Sequence, residues 1–197
     1  MYQFDGKNLF YRTFPVKVKS ELENAYSIST NFVRSKNGAV WFGTYGGLIG
    51  YNGSDFKIIN DSCLGLNEGT GYVHIRSIME DSKGNLWIGN NGIGVLKYDG
   101  KKVVNFTDQQ KLKKENTKGN FLERVFSIGE DASGNIWFGT VESGVWRYDG
   151  NSVKNFTQEY GIGNQFIWTI YKSKQGDLWF GGAGVYRFNG NSFERIY

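Results

Sequence analysis

The side chains able to do acid–base or anion chemistry are few in this sequence and lie in two similar contexts. "VHIRSIMED" (73–81) carries His74, Arg76 and the carboxylate pair Glu80-Asp81, and "ERVFSIGED" (123–131) carries Arg124, Phe126 and Glu130-Asp131. An imidazole can move a proton near neutral pH, adjacent carboxylates can divide acid and base roles, and a guanidinium grips carboxylate or phosphate oxygens. The constellations that accompany such chemistry in enzymes are missing. His74 is the only histidine, and there is no HExxH, no Ser-His-Asp order and no phosphate-binding glycine loop. Cys63 is the only cysteine, which excludes an internal disulfide framework and a cysteine zinc site; it reads as a small buried or half-buried apolar residue. The expectation is a chain with no metal, no cofactor and no catalytic residue.

Both carboxylate pairs belong to a repeat. Hairpin glycines fall at Gly6, Gly53, Gly100, Gly150 and Gly190, with steps of 47, 47, 50 and 40 residues. About nine to twelve residues before each of the last four stands an aromatic block, "VWFGT" (40–44), "LWIGN" (86–90), "IWFGT" (136–140) and "LWFGG" (178–182). A glycine turn precedes each block, and an apolar run precedes each turn. Glu80-Asp81 and Glu130-Asp131 sit beside those turns in equivalent units, so turn chemistry explains them better than catalysis. Trp41, Trp87, Trp137 and Trp179 recur once per unit, as packing between stacked units requires. The Asn/Asp-Gly pairs predict type I′ hairpin turns, with positive φ at both residues.

Each unit therefore reads as four antiparallel strands in roughly 45 residues, the size of one propeller blade. Aromatics at 17%, 28 glycines and a single proline suit many short strands joined by tight turns. Apolar residues occupy both strand faces, as expected of small sheets sandwiched between neighbours. The fold class is all-β: a β-propeller of four complete four-stranded blades, 26–60, 73–107, 124–157 and 166–197. An N-terminal half-blade at 1–14 belongs to a five-position ring or a larger propeller.

The net charge of +4 comes from dispersed residues, 23 basic against 19 acidic. The basic stretch from Lys101 to Lys118 lacks arginine and interleaved aromatics, so it reads as a solvated loop, and no nucleic acid is expected. No apolar run approaches the ~20 residues of a membrane helix, and residues 1–25 lack a signal-peptide core. No membrane contact is expected in this segment.

"VFSIGEDASGNIWFGTVESGVWRYDG" (125–150) and "IRSIMEDSKGNLWIGNNGIGVLKYDG" (75–100) closely resemble the two-component regulator propeller repeat; the copies at 32–53 and 170–190 have lost Glu-Asp. The resemblance implies the periplasmic or extracellular sensor part of a bacterial regulatory system. It also implies a ligand signal passed on through contacts with further propeller blades or a second copy of the chain.

Function in such an array belongs where the repeats disagree. Aligned inner strands place Asn31, Ser77, Ser127 and Thr169 in one small polar column. One step earlier stand Thr30, Arg76, Phe126 and Trp168, and two residues before those stand Ile28, His74, Arg124 and Phe166. A rim of Asn31, His74, Arg76, Arg124, Phe126 and Trp168 mixes cationic donors with aromatic faces, which suits a small polar or carbohydrate ligand, including an acidic sugar. Two other classes compete. A propeller lectin would repeat its contact residues in every blade, which these columns do not. Streptogramin lyases are propellers of similar repeat style, but their histidine-centred, magnesium-dependent site draws on more than one histidine. The sequence therefore favours a non-catalytic ligand-sensing or interaction propeller.

Overall fold

The computed structural model of the protein describes residues 2–11, 27–163 and 165–197. The outer parts of the expected half-blade, residue 1 and residues 12–14, and residue 26 of the first blade lie outside the described residues. Four four-stranded antiparallel sheets follow one another along the chain. Blade 1 comprises β3 (Val33–Arg34), β4 (Val40–Thr44), β5 (Gly47–Tyr51) and β6 (Phe56–Ile59). Blade 2 comprises β7 (Ile75–Glu80), β8 (Leu86–Asn90), β9 (Val95–Tyr98) and β10 (Val103–Asn105). Blade 3 has β11 (Val125–Glu130), β12 (Ile136–Thr140), β13 (Val145–Tyr148) and β14 (Val153–Phe156). Blade 4 has β15 (Ile167–Lys172), β16 (Leu178–Gly182), β17 (Val185–Phe188) and β18 (Phe193–Arg195). At the N-terminus, β1 (Tyr2–Phe4) and β2 (Leu9–Tyr11) form a separate two-stranded sheet. Among the described residues the two α-helices have four residues each, Asp61–Leu64 and Phe106–Gln109.

Three apolar clusters fill the three junctions between consecutive blades. Alternation along the second strand of each blade sends Ile136 and Phe138 towards blade 2 and Trp137 towards blade 4. Trp41, Trp87 and Trp137 are buried, and each meets aromatic rings of the next blade: Tyr98, Phe138 and Phe180 respectively. Trp179 departs from the packing role expected of it. It lies on the far face of blade 4, beyond which no described blade stands, and it is only partly buried.

The glycine two residues after each tryptophan permits the close approach. A methyl group on Gly89 or Gly139 would come within 2.9 Å of Val125 Cγ1 or 2.7 Å of Ile167 Cγ2, and one on Gly43 would press closer still on Ile75 Cγ2. Ile75, Val125 and Ile167 open the inner strands of blades 2, 3 and 4 and are fully buried. Each junction is thus a β-branched residue seated on a bare backbone.

The acidic pairs are scaffold. Asp81 Oδ1 accepts from the Asn85 and Lys83 amides, and its Oδ2 accepts from Trp87 Nε1 at 2.8 Å. Asp131 repeats the arrangement with Asn135, Ser133 and Trp137 Nε1. The glutamates latch one blade to the preceding one: Glu80 accepts from the Lys36 amide at 3.0 Å, and Glu130 from the amide and hydroxyl of Ser82. Burial of Asp81 raises its pKa, but the hydrogen bonds from Asn85 and Trp87 outweigh that and hold it below the ordinary 3.8.

The hairpin turns differ from type I′. Only the glycine takes positive φ, 100° at Gly6 and 102° at Gly150, while the preceding Asp or Asn accepts backbone N–H groups through its side chain. Asn52, Asp99 and Asn189 do the same. The amides of Ser152 and Asn151 hold the exposed Asp149 carboxyl down at about 2. Cys63 also differs from expectation: it is exposed on the first short helix, with Sγ donating to the Ile58 carbonyl.

Two outcomes follow from the junctions. Trp137→Ala removes a ring enclosed by Phe156, Phe180, Phe188 and Phe193, and chemical denaturation should show a loss of about 3–5 kcal/mol; an unchanged midpoint would contradict the packing role. Because the Asp81 pKa is depressed in the fold, its charge contributes stability above 3.8 that disappears as pH falls through the folded value. The stability gap between the parent and Asp81→Asn should therefore be widest near neutrality and shrink below pH 3.8, as measured by denaturation from pH 7 to pH 2.

Candidate functional site

The inner strands of blades 2, 3 and 4 share a register shift against their second strands, located between Ile75 and Ser77, Val125 and Ser127, and Ile167 and Thr169. The residue skipped in each is Arg76, Phe126 or Trp168. A bulge residue leaves the alternation of its strand and re-aims its side chain. Here the three turn towards one concavity of about 610 Å³, which the segment 28–31, Tyr45 and the hydroxyl residues Ser77, Ser127 and Thr169 complete.

Blade 1 follows this scheme one residue out of phase with the sequence alignment. Ile28 bridges Thr44 as Ile75 bridges Asn90, and Thr30 lies against Gly43 as Ser77 lies against Gly89. Thr30 Oγ1 accepts from the Gly43 amide at 2.8 Å. The small polar column is therefore Thr30, Ser77, Ser127 and Thr169, and Ser29 stands level with Arg76. Asn31 is an inserted residue that still lines the concavity.

Of the six sequence-predicted rim residues, Asn31, Arg76, Phe126 and Trp168 come together, whereas His74 and Arg124 line no part of the concavity. His74 lies edge-on to Tyr45, with ring centroids 4.8 Å apart. Its Nε2 is buried without a partner, and burial first, then the nearby Arg76 charge, lower its pKa below the ordinary imidazole value. Arg124 is engaged elsewhere, donating from Nε to Asn91 Oδ1 at 2.9 Å and ion-paired with Glu142. The bulge is the physical reason for both departures. Counting back by twos through it mistakes which residues face the channel.

Arg76 is held differently. Its guanidinium carbon lies 5.2 Å from the Tyr45 ring centroid and 5.2 Å from that of Phe126, and Phe126 in turn meets Trp168 edge-to-face at 5.1 Å. Arg76 Nε is buried without a hydrogen-bond partner. Among the described residues Arg76 forms no ion pair, and no carboxylate lines the concavity. Tyr45, which sequence reasoning missed, sits in the turn after the first aromatic block, where the other blades have Asn91, Val141 and Ala183. That divergent turn position was the available signal. No group of three or more metal-binding side chains occurs among the described residues.

Three segments, 69–92, 121–142 and 161–184, match the family model described as two component regulator propeller. They cover the inner halves of blades 2, 3 and 4. A comparison with curated proteins returns no match. Among solved structures, the extracellular domain of a putative hybrid two component system from B. thetaiotaomicron is 26% identical with a TM-score of 0.64, over 84% of this chain and 22% of that one. A second such extracellular domain from B. thetaiotaomicron gives 20% identity and a TM-score of 0.68, over 88% of this chain and 25% of that chain. Virginiamycin B lyase from Staphylococcus aureus gives 15% identity and a TM-score of 0.62, over 87% of this chain and 57% of that chain, a likeness of fold alone. This chain thus spans about a quarter of the length of the two extracellular domains. No helix among the described residues is long and apolar enough to cross a membrane. In these three segments, about a third of its length, the chain is similar to the two component regulator propeller repeat.

Proposed function

We propose that this chain is a non-catalytic ligand-sensing segment of a bacterial regulatory system, placed in the periplasm or outside the cell, and that it binds a carbohydrate-derived or other small polar ligand in the channel concavity. One observation carries the reading: the residues that differ from blade to blade, Arg76, Phe126 and Trp168, are the bulge residues, and they converge on one concavity with an unpaired guanidinium. A lectin with one site per blade is disfavoured because no other blade supplies an arginine there. A lyase-like reading is disfavoured because the single imidazole packs on Tyr45 outside the concavity. A thermal-shift screen of mono- and oligosaccharides and small metabolites should give a hit that Arg76→Ala abolishes without unfolding the domain. Binding indifferent to Arg76→Ala would refute the site.

A sensor must also pass its state on, and we propose that it does so through a second copy of this chain. Ile28, the blade 1 counterpart of the buried Ile75, is 42% exposed, and Gly181, the counterpart of Gly139, has only its own blade's Thr169 within 4 Å among the described residues. One end offers the β-branched residue and the other the bare backbone. Tyr2, Phe4, Leu9 and Tyr11 of the hairpin and Tyr171 of blade 4 expose further apolar surface. Light scattering of the intact chain should report a dimer, weakened by deleting residues 1–14; a monomer with an unchanged melting temperature in both samples would overturn the assembly.

A further inference from the structure

We infer that the channel ligand carries a single carboxylate that pairs with Arg76 while an apolar sugar face lies on Trp168, so that the ligand class is a uronic acid or a uronate-bearing saccharide. The inference rests on the binding reading above and names the chemistry of the same site.

Arg76 is the only cation lining the concavity among the described residues, and no carboxylate lines it. The Tyr45 and Phe126 rings contact the guanidinium and fix its orientation, so little side-chain freedom remains to be lost when an anion arrives. Nε is already desolvated and has no protein acceptor. A buried donor without an acceptor is costly, and an incoming oxygen removes that cost. The planar fork of arginine matches a carboxylate with two parallel hydrogen bonds. Charge sets the valence. One guanidinium balances one negative charge, whereas a phosphate near neutral pH brings close to two, and no second cation faces the concavity to meet the excess.

The rest of the wall describes the rest of the ligand. Trp168 is 55% exposed, lines the concavity and meets Phe126 edge-to-face. Thr30, Ser77, Ser127 and Thr169 line the concavity; Thr30 Oγ1 donates to the Asn31 carbonyl, Ser127 Oγ donates to the Ile167 carbonyl, and Ser77 Oγ is buried without a partner. Hydroxyl groups with an aromatic platform suit a sugar ring, and the volume lies within the ~300–1,000 Å³ of small-molecule pockets. A short aliphatic carboxylate would leave the exposed Trp168 ring uncovered.

Calorimetric titration of the intact chain with galacturonate, glucuronate and a disaccharide bearing one uronate, each beside its neutral sugar or methyl ester, tests this. The acids should bind at least about tenfold more tightly than the esters, as loss of a charge-assisted hydrogen-bond pair implies. Arg76→Gln should erase that difference, and Trp168→Ala should weaken acid and ester alike. The ester comparison leaves the protein unaltered, so it stands even if a variant folds poorly. His74 gives a second readout. A carboxylate on Arg76 offsets the charge that helps lower the His74 pKa, so the single imidazole resonance should titrate higher in the complex. Equal binding of acids and esters, or inorganic phosphate competing with the uronates at comparable affinity, would overturn the ligand class and leave the site intact. Failure of every acid and every neutral sugar to bind the folded chain would overturn both readings.

Discussion

The contact between a β-branched residue at the start of one inner strand and a glycine in the preceding blade is the constraint on which the rest of this structure rests. A four-stranded sheet of this size cannot bury two apolar faces alone, and stacking buries them only if neighbouring backbones come close near the channel. Ile75, Val125 and Ile167 make that approach against Gly43, Gly89 and Gly139. Farther out the tryptophan rings fill the gap that sheet twist opens between blades. The two contacts set both ends of each wedge. The glutamate latch to the preceding blade's turn then fixes the level at which the sheets meet.

The same constraint explains why a site can vary on so regular a scaffold. Once Ile75, Val125 or Ile167 is seated, the strand still has to regain its pairing with the aromatic block, and it does so by skipping one residue. The skipped side chain faces the concavity and lies outside the three buried apolar clusters of the junctions. Arginine, phenylalanine and tryptophan can therefore occupy equivalent positions with no difference in blade packing. Packing rests on the residues that recur, and the residue between them is left to face the concavity.

Most of the fold was legible in the sequence, because strand number and order follow from repeated turn glycines and aromatic blocks, and each blade forms as those predict. The tryptophan role was legible for Trp41, Trp87 and Trp137, where a following blade exists, and not for Trp179, whose burial depends on what lies beyond β16. The acidic pairs were legible as turn chemistry because they recur beside glycine. The site was only half legible. The divergent column was visible, but the bulge that creates it breaks the two-residue alternation, so His74 and Arg124 were assigned to a rim they do not join. In blade 1 an inserted residue and the absence of Glu-Asp left nothing to mark the register, and Asn31 took the place of Thr30. Tyr45 was invisible to inner-strand reasoning because it reaches the concavity from a turn.

The placement of Arg76 bears on how such a domain can sense. Its guanidinium is held by Tyr45 of blade 1 and Phe126 of blade 3 while its own backbone belongs to blade 2, and Phe126 leans on Trp168 of blade 4. Rings from blades 1 and 3 thus meet the cation of blade 2, and blade 4 is joined to it through Phe126. Arg76, Phe126 and Trp168 each lie one residue from the junction residues Ile75, Val125 and Ile167, so a ligand at the proposed site would meet groups next to the junctions. Only differential affinity for two arrangements lets a ligand shift their populations. On the proposed reading that differential would come from the angle between blades, which sets how far the two rings stand from the guanidinium. The contacts that stabilise the wedge stack and those that hold the Arg76 guanidinium are neighbours along the same strands, so the proposed site would need no separate relay to blade packing.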